Sequence, residues 1–122
     1  MKILIADDEE IVRTSLEEIL KKAGGFEADF AYDGEEAVNK IKTAFYDAVL
    51  LDLEMPKISG YDVLAQARVI HPDLPVIFIT GKADVKKVVA SIAKNGLSGF
   101  IEKPFTPNEV LDVVIKATRK KG

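Results

Sequence analysis

Short apolar runs alternate along the chain with longer segments of mixed polarity, which predicts strands separated by helices. The predicted strands are Lys2–Ala6, Glu27–Tyr32, Asp47–Leu51, Val76–Ile79 and Gly99–Ile101. The second is the weakest, because Asp29 interrupts it. The third is apolar on both faces, which is typical of a parallel strand covered by helices on both sides.

Apolar residues between these runs recur at three- and four-residue spacing, which predicts five amphipathic helices. The inward-facing residues are expected to be Val12, Leu16, Ile19 and Ala23; Ala37, Val38, Ile41 and Phe45; Leu64 and Ala67; Val85, Val88, Val89, Ile92 and Ala93; and Val110, Val113, Val114 and Ala117. Gly24-Gly25 should end the first helix, and His71-Pro72 the third. Thr106-Pro107 with Glu109 is a typical start for the last.

The regular alternation predicts a doubly wound α/β fold: a five-stranded parallel sheet, right-handed crossovers, and five helices covering both faces. A chain of 122 residues fits a single domain over 1–122. In such a fold, ligands bind at the carboxyl ends of the strands, near the point where strand order reverses. The residues that close each strand are therefore the first candidates for a site.

Composition removes several classes of function. The chain has no cysteine, so disulfides, zinc-thiolate sites and thiol catalysis are excluded. The single histidine, His71, is expected to be a surface loop residue, which leaves histidine-based triads and multi-histidine metal sites without support. A net charge of −3 argues against direct nucleic acid binding. No run is long enough to cross a membrane and the N-terminus lacks the pattern of a signal peptide, so a cytoplasmic location is expected.

Polar residues follow four of the predicted strands. Asp7-Asp8 follow the first, Asp52 closes the third, Thr80 closes the fourth and Lys103 follows the fifth. Neighbouring strand ends would bring the three carboxylates together, and two such charges about 4 Å apart repel by roughly 4 kcal/mol at an effective dielectric constant of about 20. A divalent cation, a proton or the Lys103 ammonium must therefore offset this repulsion.

Carboxylate oxygens are suitable ligands for Mg²⁺, and a free carboxylate beside Mg²⁺ suits phosphoryl transfer. Asp52 could then act as a nucleophile and form an aspartyl-phosphate. Lys103 would neutralise one phosphoryl oxygen, and the Thr80 hydroxyl would hydrogen-bond to another. Each residue alone has a plainer interpretation: an acidic pair complements a helix dipole, Thr80 caps a strand, and Lys103 is solvated. Their combination at successive strand ends is what makes the pattern specific.

The chain resembles the receiver domains of response regulators in two-component signalling. The resemblance covers essentially the whole chain and rests on Asp7-Asp8-Glu9, Asp52 with Met55-Pro56 and Gly60, Thr80, and Lys103-Pro104-Phe105. It implies a flavodoxin-like fold with strand order 2-1-3-4-5. It also implies a signalling switch that catalyses only its own Mg²⁺-dependent phosphorylation and dephosphorylation.

The resemblance also implies roles for individual residues. Asp52 would accept a phosphoryl group from a phosphohistidine of a sensor histidine kinase or phosphotransfer protein. The Mg²⁺ ligands would be Asp8 directly, Asp7 largely through water, Asp52 and the backbone carbonyl of Glu54. Lys103 would contact the phosphoryl group, and the Lys103-Pro104 bond would be cis.

Thr80 and Phe100 would form the switch pair of such a domain. They would act on a face made by the fourth helix, fifth strand and fifth helix, which would control a partner or an output domain and is a possible surface for a phosphorylation-dependent homodimer. Among the departures from the commonest residues of the family, Gly81 stands where alanine is frequent, and Phe100 where tyrosine is.

Three alternatives are weaker. A flavodoxin-like electron carrier would need a phosphate-friendly first loop, but Asp7-Asp8-Glu9-Glu10 repels phosphate. A dinucleotide- or NTP-dependent enzyme would need a glycine-rich phosphate loop, which the sequence lacks. A degenerate receiver that binds a partner without phosphorylation conflicts with the intact acidic set. The sequence leaves open whether the chain is a complete single-domain regulator or the receiver of a longer protein.

Overall fold

The computed structural model describes residues 1–81, 86–90 and 96–119, and its strands form one parallel sheet. The strands are β1 Lys2–Ala6, β2 Glu27–Ala31, β3 Ala48–Asp52, β4 Val76–Thr80 and β5 Gly99–Glu102. They are arranged in the order β2-β1-β3-β4-β5, and every neighbouring pair is parallel. The expected fold class and strand order are therefore confirmed.

Helices connect the strands and cover both faces of the sheet. They are α1 Glu10–Ala23, α2 Gly34–Thr43, α3 Gly60–Ile70 and α5 Pro107–Arg119, together with the helical residues 86–90 between β4 and β5, which we label α4. Predicted inward residues Val85, Ile92 and Ala93 lie outside the described residues. Within the described ranges, no helix has both the length and the apolar character needed to cross a bilayer.

The sheet divides the core into two layers because successive side chains on a strand point to opposite faces. On one face, Leu4, Val49 and Phe78 pack with buried residues of α2 and α3. On the other, Leu50 and Ile77 pack with buried residues of α1 and α5. All five residues of both β3 and β4 are buried, as expected for central parallel strands.

Most helix ends coincide with local sequence signals. Asp33 caps α2 by accepting a hydrogen bond from the Glu36 amide at 2.8 Å. At the start of α5, the Thr106 amide donates to Glu109 Oε1 at 3.1 Å and the Glu109 amide donates to Thr106 Oγ1 at 3.3 Å, which is the predicted capping box. Gly24 ends α1 with φ of 80°, in the left-handed region that favours glycine.

The structure corrects three predicted core positions. Ala23 is exposed because it is the last residue of α1, and Leu20, one turn earlier, is buried instead. Phe45 is 67% exposed because α2 already ends at Thr43. Val89 is 51% exposed while Val88 is buried, since adjacent helical residues point about 100° apart.

The interruption of β2 by Asp29 also has a structural explanation. Tyr46 Oη donates to Asp29 Oδ2 at 2.6 Å, and Lys40 Nζ lies 3.3 Å from Asp29 Oδ1. Desolvation raises the pKa of Asp29, but these two partners and the Phe30 amide together outweigh it, so the net direction is downward. Asp29 is therefore a paired carboxylate on an edge strand, and its charge does not prevent the strand from forming.

Candidate functional site

The two central strands place Asp7 and Asp52 next to each other. Ala6 of β1 pairs with Leu51 of β3, so the residues that follow, Asp7 and Asp52, emerge at the same sheet edge. Asp7 is fully buried and Asp52 is only 5% exposed. The clustering expected from strand ends is therefore observed for these two carboxylates.

Two further carboxylates complete the acidic cluster. One oxygen from each of Asp7, Asp8, Glu9 and Asp52 lies within 4.8 Å of the others. The strand-end pattern does not predict Glu9 as a site residue, although Glu9 belongs to the same acidic run. That run was the available signal, because consecutive acidic residues after a strand end share one loop.

Lys103 extends from the end of β5 into this cluster. Its Nζ lies 3.4 Å from Asp7 Oδ2, 3.4 Å from Glu9 Oε1 and 3.6 Å from Asp52 Oδ2. Desolvation lowers the pKa of Lys103, but Asp52, Asp7 and Glu9 outweigh it, so the net direction is upward. Lys103 is therefore a firmly protonated cation here. The Lys103-Pro104 peptide bond is cis, as expected.

The carboxyl group of Asp52 has a strongly raised pKa. Burial and the nearby charge of Asp7 raise its pKa from 3.8 to about 7, against the opposing effects of the Glu54 amide and Lys103. The Glu54 amide donates to Asp52 Oδ1 at 3.1 Å. Ionised Asp52 is thus costly in the isolated protein, and an additional positive charge at the site would stabilise it.

The hydrogen bonds of Asp7 leave one oxygen without a partner. Its amide donates to the Ala31 carbonyl at 3.1 Å, and its Oδ1 accepts from the Glu9 amide at 2.8 Å. Asp7 Oδ2 is buried and accepts no hydrogen bond from the described residues, although the Lys103 ammonium is close. A buried oxygen that accepts no hydrogen bond, in a cluster of carboxylate oxygens, fits a hard divalent cation such as Mg²⁺.

Thr80 and Phe100 lie on the adjacent strands β4 and β5. Thr80 is buried, and its Oγ1 donates to the Gly81 carbonyl at 3.0 Å, so the hydroxyl hydrogen is not directed to Asp52 in this conformation. The Thr80 carbonyl accepts from the Lys103 amide at 2.7 Å, which ties the backbone of Lys103 to the end of β4. Phe100 is half-buried, opposite Phe78 in the β4–β5 register.

Comparison with known proteins identifies the family of this chain. The family model of the response regulator receiver domain matches residues 3–115. The chain belongs to the response regulator receiver domain family. Its fold and strand order are those of a receiver domain, and the resemblance noted in the sequence is confirmed.

The similar proteins include one of about the same length as this chain and others about twice as long. The receiver domain is 34% identical over 118 residues to the chemotaxis protein CheY of Thermotoga maritima, covering 97% of this chain and 98% of that protein. It is 33% identical over 120 residues to the transcriptional regulatory protein DltR of Streptococcus agalactiae, covering 98% of this chain. The chain spans 53% of DltR and about half of most other curated relatives it matches.

Solved structures of receiver domains have the same fold as this chain. The receiver domain of NtrX from Brucella abortus superposes with a TM-score of 0.89 at 31% identity, covering 96% of this chain and 98% of that one. A CheY-like receiver domain protein from Methanospirillum hungatei superposes with a TM-score of 0.87 at 29% identity, covering 99% and 98%. The fold therefore matches receiver domains over nearly the full described length.

Proposed function

We propose that this receiver domain is a phosphorylation-activated switch that accepts a phosphoryl group on Asp52. The donor would be a phosphohistidine of a sensor histidine kinase or a phosphotransfer protein. The observation that carries the proposal is the position of Asp52, a nearly buried carboxylate at a strand end with Asp7 beside it and Lys103 Nζ 3.6 Å away. Packing alone does not explain a buried carboxylate among others of the same charge.

The residues at the strand ends would hold Mg²⁺ through Asp7, Asp8, Asp52 and the backbone carbonyl of Glu54. When bound, the ion would supply positive charge to the site and to the phosphoryl oxygens. An Asp52 carboxylate oxygen would form the new bond to phosphorus as the P–N bond to the donor imidazole breaks and its electron pair stays with the ring. Lys103 Nζ, already among the carboxylates, would hold another phosphoryl oxygen.

The signal would leave the site through Thr80 and Phe100. Rotation of the Thr80 hydroxyl away from the Gly81 carbonyl toward the phosphoryl group would let Phe100 turn inward. Because the Thr80 carbonyl accepts from the Lys103 amide, the ends of β4 and β5 would respond together. The α4-β5-α5 face would then shift between two states.

The lengths of the relatives suggest two kinds of output for this domain. The half-length match to DltR is consistent with a receiver joined to an output domain, and the full-length match to CheY with a single-domain regulator. The domain itself would act in the cytoplasm, without binding nucleic acid directly and without catalysing any reaction beyond its own phosphorylation and dephosphorylation. A phosphorylation-dependent homodimer through α4-β5-α5 stays a prediction, which light scattering of both forms would test.

Mass spectrometry after incubation with MgCl₂ and a small phosphodonor such as acetyl phosphate tests the proposal. We expect one phosphoryl adduct on the intact protein, its loss in Asp52→Asn, and its loss when EDTA replaces MgCl₂. Asp47→Asn, which removes a carboxylate from the opposite end of β3, is the matched control and should keep the adduct. Absence of an adduct on the unaltered protein would favour a degenerate receiver that works without phosphorylation.

A further inference from the structure

Arg13, a residue of α1 outside the acidic cluster, reaches back to the backbone of that cluster. Its Nη1 donates to the carbonyl oxygen of Asp7 at 2.8 Å. Its guanidinium carbon lies 4.4 Å from the centroid of the Tyr32 ring, which is cation–π distance. The backbone of Tyr32 is held, since its amide donates to Glu36 Oε1 at 2.6 Å. Arg13 thus lies between the Asp7 carbonyl and the Tyr32 ring.

This contact completes the fixation of Asp7. Its amide is held by the Ala31 carbonyl, its Oδ1 by the Glu9 amide, and its carbonyl by Arg13. The atom left over is the buried Oδ2, which accepts no hydrogen bond from the part of the chain that the structure describes. Three bonds around one residue therefore constrain the direction of Oδ2, whose nearest cation is the Lys103 ammonium at 3.4 Å.

We propose that Arg13 is a positioning residue for the divalent cation, acting through Asp7, and that the Tyr32 ring keeps the guanidinium in place. The inference rests on the proposed function, because it concerns the Mg²⁺ that function requires. Arg13 would touch neither the ion nor the phosphoryl group. It would set the orientation of the Asp7-Asp8 peptide, and thereby the positions of the Asp7 and Asp8 carboxylate oxygens. Residues that hydrogen-bond to metal ligands commonly have this effect.

The charge of Arg13 makes the proposal sharply testable. A guanidinium near a cation site repels the cation, so its removal should tighten Mg²⁺ binding if charge is its only effect. Loss of positioning has the opposite sign and weakens binding. The direction of the change in Mg²⁺ affinity therefore separates the two roles, and a purely structural residue would change thermal stability without changing the affinity.

Isothermal titration of the full chain with MgCl₂ is the appropriate experiment. Residues that orient metal ligands typically change metal affinity about 10–100-fold, and for a contact through the backbone we expect Arg13→Gln to raise the Mg²⁺ Kd about 3–10-fold. Tyr32→Leu, which leaves the charge in place, should raise it in the same direction, whereas Tyr32→Phe should leave it unchanged because the ring remains. Lys21→Gln removes a cation from the far end of α1 and is the control for charge.

The outcomes are distinct. The Kd is measured well below the melting temperature, which is determined by circular dichroism. An unchanged or lower Mg²⁺ Kd in Arg13→Gln overturns the positioning role and leaves the proposed function standing. If Arg13→Gln does not fold, Tyr32→Leu against Tyr32→Phe decides the question, and equal Kd values for those two overturn the proposal. Failure of the unaltered protein to bind Mg²⁺ would remove the proposed function together with this inference.

Discussion

At the scale of single residues, the site combines a stabilised cation with a destabilised anion. Lys103 is surrounded by three carboxylates, whereas Asp52 is buried beside Asp7 and carries a raised pKa of about 7. A carboxyl group with a higher pKa in the folded state than in the unfolded state binds more protons when folded. Its contribution to stability therefore falls as the pH rises from about 4 toward 7.

Replacing Asp52 with asparagine should remove this penalty. At pH 8 without Mg²⁺, we expect Asp52→Asn to raise the free energy of unfolding by about 1–3 kcal/mol, because each unit of the pKa shift corresponds to about 1.4 kcal/mol. At pH 5 the gain should be smaller, because folded Asp52 is already protonated there. Urea denaturation of both proteins at pH 5 and pH 8, in EDTA, measures the difference.

The control for this experiment is Asp112→Asn, an exposed carboxylate on α5 whose loss should have the same effect at both pH values. A gain for Asp52→Asn that does not depend on pH would show that the ionisation of Asp52 is not the cause. Adding Mg²⁺ at pH 8 should reduce the advantage of the variant, because the cation would offset the same repulsion in the unaltered protein.

Residue positions were predictable from the sequence wherever the strand ends alone determine them. Asp7, Asp52 and Lys103 meet because the carboxyl ends of parallel strands share one edge. The Glu9–Lys103 contact was missed, since it depends on the course of a loop and the reach of a long side chain. The direction of the Thr80 hydroxyl depends on a freely rotating bond, so no spacing in the sequence encodes it.

At the scale of elements, the start of α3 packs directly against the backbone at the end of β3, next to Asp52. Gly60, the first residue of α3, donates its amide to the Leu53 carbonyl at 3.1 Å. A Cβ at Gly60 would lie 2.7 Å from the Asp52 carbonyl oxygen and 2.8 Å from Leu53 Cα. Because these are backbone atoms, a side chain could fit only if β3 and α3 moved apart.

We therefore expect Gly60→Ala to destabilise the domain by about 1–3 kcal/mol, the usual cost of overpacking a closed site. Gly81→Ala is the matched variant, because a Cβ there meets no atom of the described residues within 4 Å. It should be neutral or stabilising by up to about 1 kcal/mol, through the reduced freedom of the unfolded chain. Urea denaturation compares them, and equal stability of the two variants would contradict the steric argument.

Element ends were easier to predict than element faces. Caps such as Thr106 with Glu109 depend on residues three apart in sequence, so they are readable without the fold. Burial of a helical residue depends also on how far the helix extends over the sheet. Ala23 and Phe45 match the apolar spacing, yet both lie where the helix has reached or passed its end.

At the scale of the whole molecule, the site spans the ends of β1, β3, β4 and β5, and the last two of these strands also lead to the proposed output face. β4 and β5 pair from Ile77↔Gly99 to Thr80↔Glu102, so Thr80 and Phe100 belong to one continuous ladder. β2 and α2 lie on the other side of β1, where Tyr46 and Lys40 hold Asp29. A change at Thr80 should therefore reach β5 directly, whereas β2 meets the site only where Ala31 accepts from the Asp7 amide and, among the described residues, has no pairing with the β4–β5 ladder.

Hydrogen exchange measured by mass spectrometry tests this asymmetry. On phosphorylation with MgCl₂ and acetyl phosphate, exchange should change in peptides covering 86–90 and Gly99–Glu102, and stay unchanged in Glu27–Ala31. Thr80→Ala removes the hydroxyl but keeps the strand, so it should still form the adduct while losing most of the change at β5. A response that is equal across the sheet, or one that survives intact in Thr80→Ala, would contradict transmission through the β4–β5 ladder.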